Sequence, residues 1–338
     1  MHCVVCQKPG LLSHSERPAP VRGTAEVLVR VRRIGICGTD YHIYEGNQPF
    51  LSYPRVMGHE LAVEVVEAPA GSAAAVGSFA VVNPYIACGK CIACRHGKPN
   101  CCVNIAVLGV HRDGGMCEFL SLPETNLIPA EDLSLDACAT TEFLAIGAHA
   151  VARGQVRPGE RILVVGAGPI GLGVALFSRI AGADVTLMDV DAERLAVARG
   201  NFGLDSGLQG GPDAGDTAKE FTRGEFFDAV FDATGNAKAM MAGFDLVGHG
   251  GRYVLVSIVR EAISFSDPEF HKREMTLLAS RNALHSDFQL VMATIRSGLI
   301  PLDKLITHRT TLEAVPLDLP KWATDKRGLI KAVIDVAA

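Results

Sequence analysis

The stretch RILVVGAGPIGLGVALFSRIAGADVTLMD (161–189) decides the fold. It opens on RILVV, a short apolar run of the kind that forms a buried strand. GAGPIG (166–171) then fits G-x-G-x-x-G, with glycines at Gly166, Gly168 and Gly171. Pro169 stands near the first turn of a helix expected over 169–182, where a missing N–H is tolerated. A second strand, DVTLMD (184–189), ends on Asp189. The glycine motif alone is weak; between strand and helix, with an acid closing the next strand, it is a dinucleotide-binding fingerprint. Glycines there let the backbone approach a pyrophosphate, and the helix N-terminus offers N–H groups and a positive dipole. A carboxylate at Asp189 accepts hydrogen bonds from ribose hydroxyls and repels a 2′-phosphate, which favours NAD over NADP. The competing reading is a glycine turn needed only for tight strand–helix packing. Gly166, Gly168, Ile170, Gly171, Asp189 and Arg194 are the candidate cofactor-binding residues.

Downstream the alternation continues through DAERLAVARGNF, FDAVFDATG (227–235) and GGRYVLVS (250–257), which indicates βαβ units and a parallel sheet. Upstream the texture differs. EVLVRVRRIGI (26–36) alternates polar and apolar residues as a half-buried strand does, and LAVEVVEA (61–68) and SFAVVNPYIA (78–87) are β-rich. The first part therefore reads as a mainly antiparallel β domain with long loops. The stretch from about Asn282 is too short to be a domain and is expected to return to it. The expected organisation is a β-rich domain over 1–141 and 282–338 and an α/β, doubly wound parallel-sheet cofactor domain over 142–281.

A chain of 338 residues suits two domains and buries a large core without disulfides. With 48% hydrophobic and 20% charged residues it is neither disordered nor fibrous. The formal charge of −5, without a basic run, argues against nucleic acid or an anionic membrane as partner. No run of ~20 unbroken apolar residues suggests a membrane span, and MHCVVCQKPG does not read as a signal peptide. A cytoplasmic protein is expected. Ten cysteines in a reducing compartment then point to metal ligation rather than disulfides.

CGKCIACRHGKPNCC carries cysteines at 88, 91, 94, 101 and 102. Two successive C-x2-C steps and a fourth thiolate after a short loop make the tetrahedral four-cysteine set typical of structural zinc. Cys3 and Cys6 share the spacing but lie in the apolar CVVC without a second pair, and read as strand packing. A second set of metal-type residues includes Cys37, Thr39, Asp40 and His42 in GICGTDYHIYEG, His59 and Glu60 in GHE, and Glu142. A thiolate, an imidazole and a carboxylate with one open position suit catalytic zinc. Singly, each has a plainer reading as a buried thiol or core histidine.

GICGTDYHIY, GHE, CGKCIACRHGKPNCC and VVGAGPIG occur in the order and spacing of the zinc-dependent medium-chain dehydrogenases, and the chain resembles that family over essentially its full length. It looks closest to the sorbitol and threonine dehydrogenase branch. GNQPFLSYPRVMGHE (46–60), NCCVNIAVLGVHRDGG (100–115) and FSDPEFHKREMTLLASRNA (265–283) are similar to bacterial sugar-acid dehydrogenases acting at C5 of L-galactonate or L-gulonate. The resemblance implies a GroES-like catalytic domain, a Rossmann NAD domain, two zinc ions per chain and a homodimer or homotetramer. It implies Cys37, His59 and Glu142 around the catalytic zinc, with Glu60 as an exchanging or supporting carboxylate. Cys88, Cys91, Cys94 and Cys102 would hold the structural zinc; the family's fourth thiolate, eight residues after the third, selects Cys102. Thr39 would take the proton of a zinc-bound alcohol and pass it, by way of the cofactor ribose, to His42, while Asp40 orients a ligand histidine. Phe143 stands where relatives carry Pro, and Met116-Cys117 where they often carry an aromatic and a small hydroxyl residue. A sugar acid would need a cation, for which His111, Arg112, Lys272 and Arg281 are candidates. The expected function is NAD-linked oxidation of a sugar acid's secondary alcohol. A polyol or L-threonine as substrate, or a non-catalytic zinc and NAD sensor or scaffold, are the alternatives.

Overall fold

Alternating burial makes Glu26–Ile36 the longest strand of the first unit, in line with its polar–apolar period. In the computed structural model, which describes residues 1–130 and 132–336, this strand pairs antiparallel with Glu60–Glu67, Phe119–Pro123 and Lys331–Asp335. Lys331–Asp335 in turn pairs parallel with Ile306–Thr311. The C-terminal chain thus completes the sheet begun near the N-terminus. The register sets Gly35 opposite Glu60 on one side and Val333 on the other. That alignment brings three distant segments to the end of the strand that carries Cys37.

SFAVVNPYIA is two strands, not the single one its composition suggests: Phe79–Val82 and Tyr85–Ile86. Pro84 breaks the ladder because it has no N–H to donate. Tyr85–Ile86 pairs instead with Ala106–Val107, and the cysteine loop lies between them in sequence. AIGAHAVARG (145–154) looks helical in sequence, and the structure makes it the second half of a 20-residue helix, Leu135–Gly154.

Clustering of contacts divides the chain into two units. One comprises Met1–Phe143, Leu284–Gly298 and Leu305–Ala338; the other comprises Leu144–Ala283 and Leu299–Lys304. Nothing in the sequence sets Leu299–Lys304 apart from its flanks. The second unit holds a six-stranded, all-parallel sheet ordered Ser206–Gln209, Asp184–Asp189, Arg161–Val165, Phe227–Asp232, Val247–Leu255, Thr276–Ala279. The fold is α/β, and this strand order is that of a doubly wound dinucleotide-binding sheet. Its core packs Leu163, Val165, Met188, Phe227, Val230 and Tyr253 among others. Among the described residues, no helix is long and apolar enough to cross a membrane.

Candidate functional site

The glycine turn lies between the strand Arg161–Val165 and the helix Pro169–Ile180, with Gly168 at the N-cap and no side chain capping it. The helix's first N–H groups are therefore left for a ligand. Gly166 has φ +98°, and a Cβ at Gly171 would overlap the Gly166 carbonyl oxygen, so both positions exclude side chains. Ile170 is half-buried in the first turn. Asp189 ends its strand as expected, and its carboxylate already braces the turn: it accepts from Ala167 N–H at 2.6 Å and from Asp191 N–H at 2.9 Å. Each oxygen retains a further acceptor site. The Arg194 guanidinium lies 3.9 Å from Asp189. This cradle suits a dinucleotide.

In the first unit, the sulfur atoms of Cys88, Cys91, Cys94 and Cys102 gather within 4.8 Å of one another. Val103 N–H points at Cys91 Sγ and Cys88 N–H at Cys102 Sγ. Donors from the Cys94 and Val103 backbone draw the Cys91 thiol down to about 6, into thiolate range. Four thiols supplied with N–H donors fit a tetrahedral zinc. Cys101 is exposed, and Cys3, Cys6, Cys117 and Cys138 are buried.

Ligand atoms of Cys37, His59 and Glu60 form the second group within 4.8 Å. Cys37 is the N-cap of the helix Gly38–Glu45, directly after the long strand. His59 is 5% exposed and its Nδ1 has no hydrogen-bond partner. A buried imidazole beside a thiol and a carboxylate is a donor set that a zinc ion would satisfy. Burial alone would lower the His59 pKa, but Cys37, Asp40 and Glu142 outweigh it and raise it well above the usual range. Asp40, fully buried, accepts from Cys37 N–H at 2.9 Å and from Gly58 N–H at 3.1 Å. It therefore ties together the two backbones that present Cys37 and His59, rather than bonding the imidazole ring. Thr39 is half-buried in the same helix turn, and His42 is exposed farther along it.

The two candidate carboxylates are held differently. Glu60 accepts from Lys331 Nζ at 2.7 and 2.8 Å, and Lys331 is 2% exposed. The Lys331 ammonium also donates to the Ile36 carbonyl and stands 4.3 Å over the Phe143 ring. Gly35 makes room for this pair, since a Cβ there would run into the Glu60 carboxylate. Glu142 lies outside the three-ligand group, and its carboxylate accepts from the Tyr85 hydroxyl. Gly35, Tyr85 and Lys331 thus belong to this constellation although the sequence does not single them out. A lone lysine at the head of the apolar KAVID is the one available signal.

Of the cation candidates, Lys272 bonds Glu269 at 3.3 Å, and His111 Nδ1 accepts from Val107 N–H at 3.1 Å. Arg281 is exposed in the second unit and is already engaged by a partner. Arg112 is exposed, and among the described residues no ion pair involves it. Its loop packs against the segment that leads to His59: Gly115 N–H donates to the Gly58 carbonyl at 2.8 Å.

Comparison with known proteins agrees with both units. Residues 23–132 match the alcohol dehydrogenase GroES-like domain and residues 169–297 the zinc-binding dehydrogenase family. The chain is 41% identical to L-galactonate-5-dehydrogenase of Escherichia coli K12, over 99% of this chain and 98% of that protein. It is 30% identical to an L-threonine 3-dehydrogenase of Symbiobacterium thermophilum, over 96% and 94% of the two chains. The solved structure of an alcohol dehydrogenase (rspB) from E. coli CFT073, complexed with NADH, superposes with a TM-score of 0.92 at 30% identity, covering 99% of each chain. The chain therefore belongs to the zinc-dependent medium-chain dehydrogenases and is an oxidoreductase of that family.

Proposed function

We propose that this chain oxidises the secondary alcohol of a sugar acid, of the L-galactonate or L-gulonate type, to a ketone with NAD. The observation that carries the substrate class is the 41% identity to an L-galactonate-5-dehydrogenase across nearly both whole chains. A zinc held by Cys37, His59 and a carboxylate supplies the charge that makes an alcohol acidic, and bound NAD supplies the hydride acceptor.

The chain's own residues do the rest. Asp40 fixes the backbone of Cys37 and of Gly58, so both ligand-bearing segments are preorganised. The Thr39 hydroxyl, two residues after Cys37, accepts the substrate proton. His42, exposed on the same helix, returns a proton to solvent. Gly166, Gly168 and Gly171 admit the pyrophosphate to the helix N-terminus, with Ile170 packing in its first turn. Asp189 accepts from the ribose hydroxyls with Arg194 beside it. Cys88, Cys91, Cys94 and Cys102 hold a structural zinc. Arg112 is the cation for the substrate carboxylate.

NADH formation with L-galactonate, L-gulonate, sorbitol and L-threonine tests the proposal. Turnover of at least one acid is expected, with KM raised about tenfold or more in Arg112→Gln. Turnover of sorbitol or threonine alone would overturn the substrate class.

A further inference from the structure

Glu142 is 3% exposed, and a carboxylate so placed needs a donor or a cation. It receives one from Tyr85. The tyrosine is fixed on every side. Its N–H donates to Asn83 Oδ1 at 3.1 Å, its carbonyl accepts from Asn126 Nδ2 at 3.4 Å, and its ring meets Phe288 edge-on at 6.4 Å. It sits on the short strand Tyr85–Ile86 at the root of the cysteine loop, three residues before Cys88. These contacts, none of them to Glu142, anchor the backbone and ring that carry the hydroxyl.

Besides Asp40, which the Cys37 and Gly58 N–H groups hold, two buried carboxylates, Glu60 and Glu142, lie around His59, and each has its own counter-group. Glu60 has the Lys331 ammonium bonded to it; Glu142 is bonded by a neutral phenol and feels His59 and Lys331 through their charge alone. Without the phenol, Glu142 would be a buried carboxylate that has lost its Tyr85 donor, and a metal at Cys37 and His59 would compete with Lys331 for it.

We propose that Tyr85 is a positioning residue that holds Glu142 off the metal, so that Glu60 is the carboxylate in the Cys37–His59 ligand set. This rests on the reading of Cys37 and His59 as a metal site. The cysteine-loop scaffold then determines the ligand set of a second, separate site through one hydroxyl.

The test uses the cobalt(II)-loaded protein and its visible ligand-field spectrum, with Tyr85→Phe, Glu142→Gln and the double variant. Glu142→Gln alone is expected to leave the spectrum unchanged. Tyr85→Phe is expected to shift the bands as Glu142 enters the ligand set, and the double variant to restore them. Cobalt release to a chelator is expected to slow about tenfold in Tyr85→Phe. A tyrosine that merely supported the fold would loosen the site and speed release. An unshifted Tyr85→Phe spectrum, faster release, or a shift that persists in the double variant would overturn the proposal. Cys37→Ala separates this from failure of the underlying reading. If that variant keeps the wild-type spectrum and two cobalt per chain, the metal site itself is misassigned and the Tyr85 role falls with it.

Discussion

Glu60 and Lys331 are 0% and 2% exposed, and neither has room to reach water. In the metal-free protein, removing one member of such a pair leaves a buried charge without its ion-pair partner. Lys331→Met is therefore expected to cost about 4 kcal/mol in denaturant unfolding; a loss below ~1 kcal/mol would show that Glu60 is satisfied elsewhere. His42 bears on activity rather than stability. Loss of water around part of its ring lowers its pKa below the usual histidine value, against the pull of Glu45 and with help from Lys326. A lowered pKa means the ring is neutral at pH 7 and protonates only below about 6.5. As a proton acceptor it works in the neutral form, so kcat/KM should fall as pH drops through that lower value. His42→Asn is expected to lose that acid limb and about tenfold in rate at neutral pH. A pH profile identical to wild type would remove His42 from the proton path. That Cys37, His59, Glu60 and Glu142 are metal-type residues was legible in the sequence, although each has a plainer reading by itself. Which carboxylate faces the thiol and imidazole was not, because Lys331 and Tyr85 are remote in sequence from the groups they hold.

At the scale of elements, one substitution should have opposite signs at two glycines. Gly147 lies in the helix Leu135–Gly154, and a Cβ there would stand 2.5 Å from the Gly173 backbone. Backbone cannot yield as a flexible side chain can, so Gly147→Ala is expected to destabilise by about 2 kcal/mol. Gly200, in the helix Ala192–Phe202, has nothing within 4 Å of its would-be Cβ. Gly200→Ala should stabilise by about 0.5–1 kcal/mol through helix propensity. Melting temperatures of the two variants should move apart; movement in the same direction would refute the packing account. Elements with a clear period were readable: Glu26–Ile36 alternates, and Asp184–Asp189 is bounded by its own turn chemistry. The helix Leu135–Gly154 was readable only in its second half, AIGAHAVARG, since residues 137–145 are buried on every side and give no amphipathic period. The Phe79–Val82 strand looks longer in sequence than it is, because Asn83-Pro84 is continuous in composition while breaking the hydrogen-bond ladder.

For the whole molecule, the two ligand groups differ in how they are built. The four-cysteine loop closes within 15 residues of chain, whereas Cys37 is a helix cap and His59 and Glu60 stand at the start of a neighbouring strand. Metal analysis should find two zinc per chain, and mild chelation should abolish turnover before circular dichroism reports unfolding. Simultaneous loss of activity and fold, or a single zinc, would contradict the two-site assignment. The sequence by itself determined the chemistry: the glycine turn with its acid, the four-cysteine loop, and the thiol and imidazole of the second group. Each is written in a few adjacent residues, where spacing constrains geometry directly. Only the tertiary structure decided how the carboxylates are shared. Lys331 meets Glu60 across 271 positions, and Tyr85 meets Glu142 across 57, through strand register and loop anchoring. Register is set by the pairing of whole strands, so no local pattern could announce that a C-terminal lysine and a loop tyrosine would partition two acids at one site.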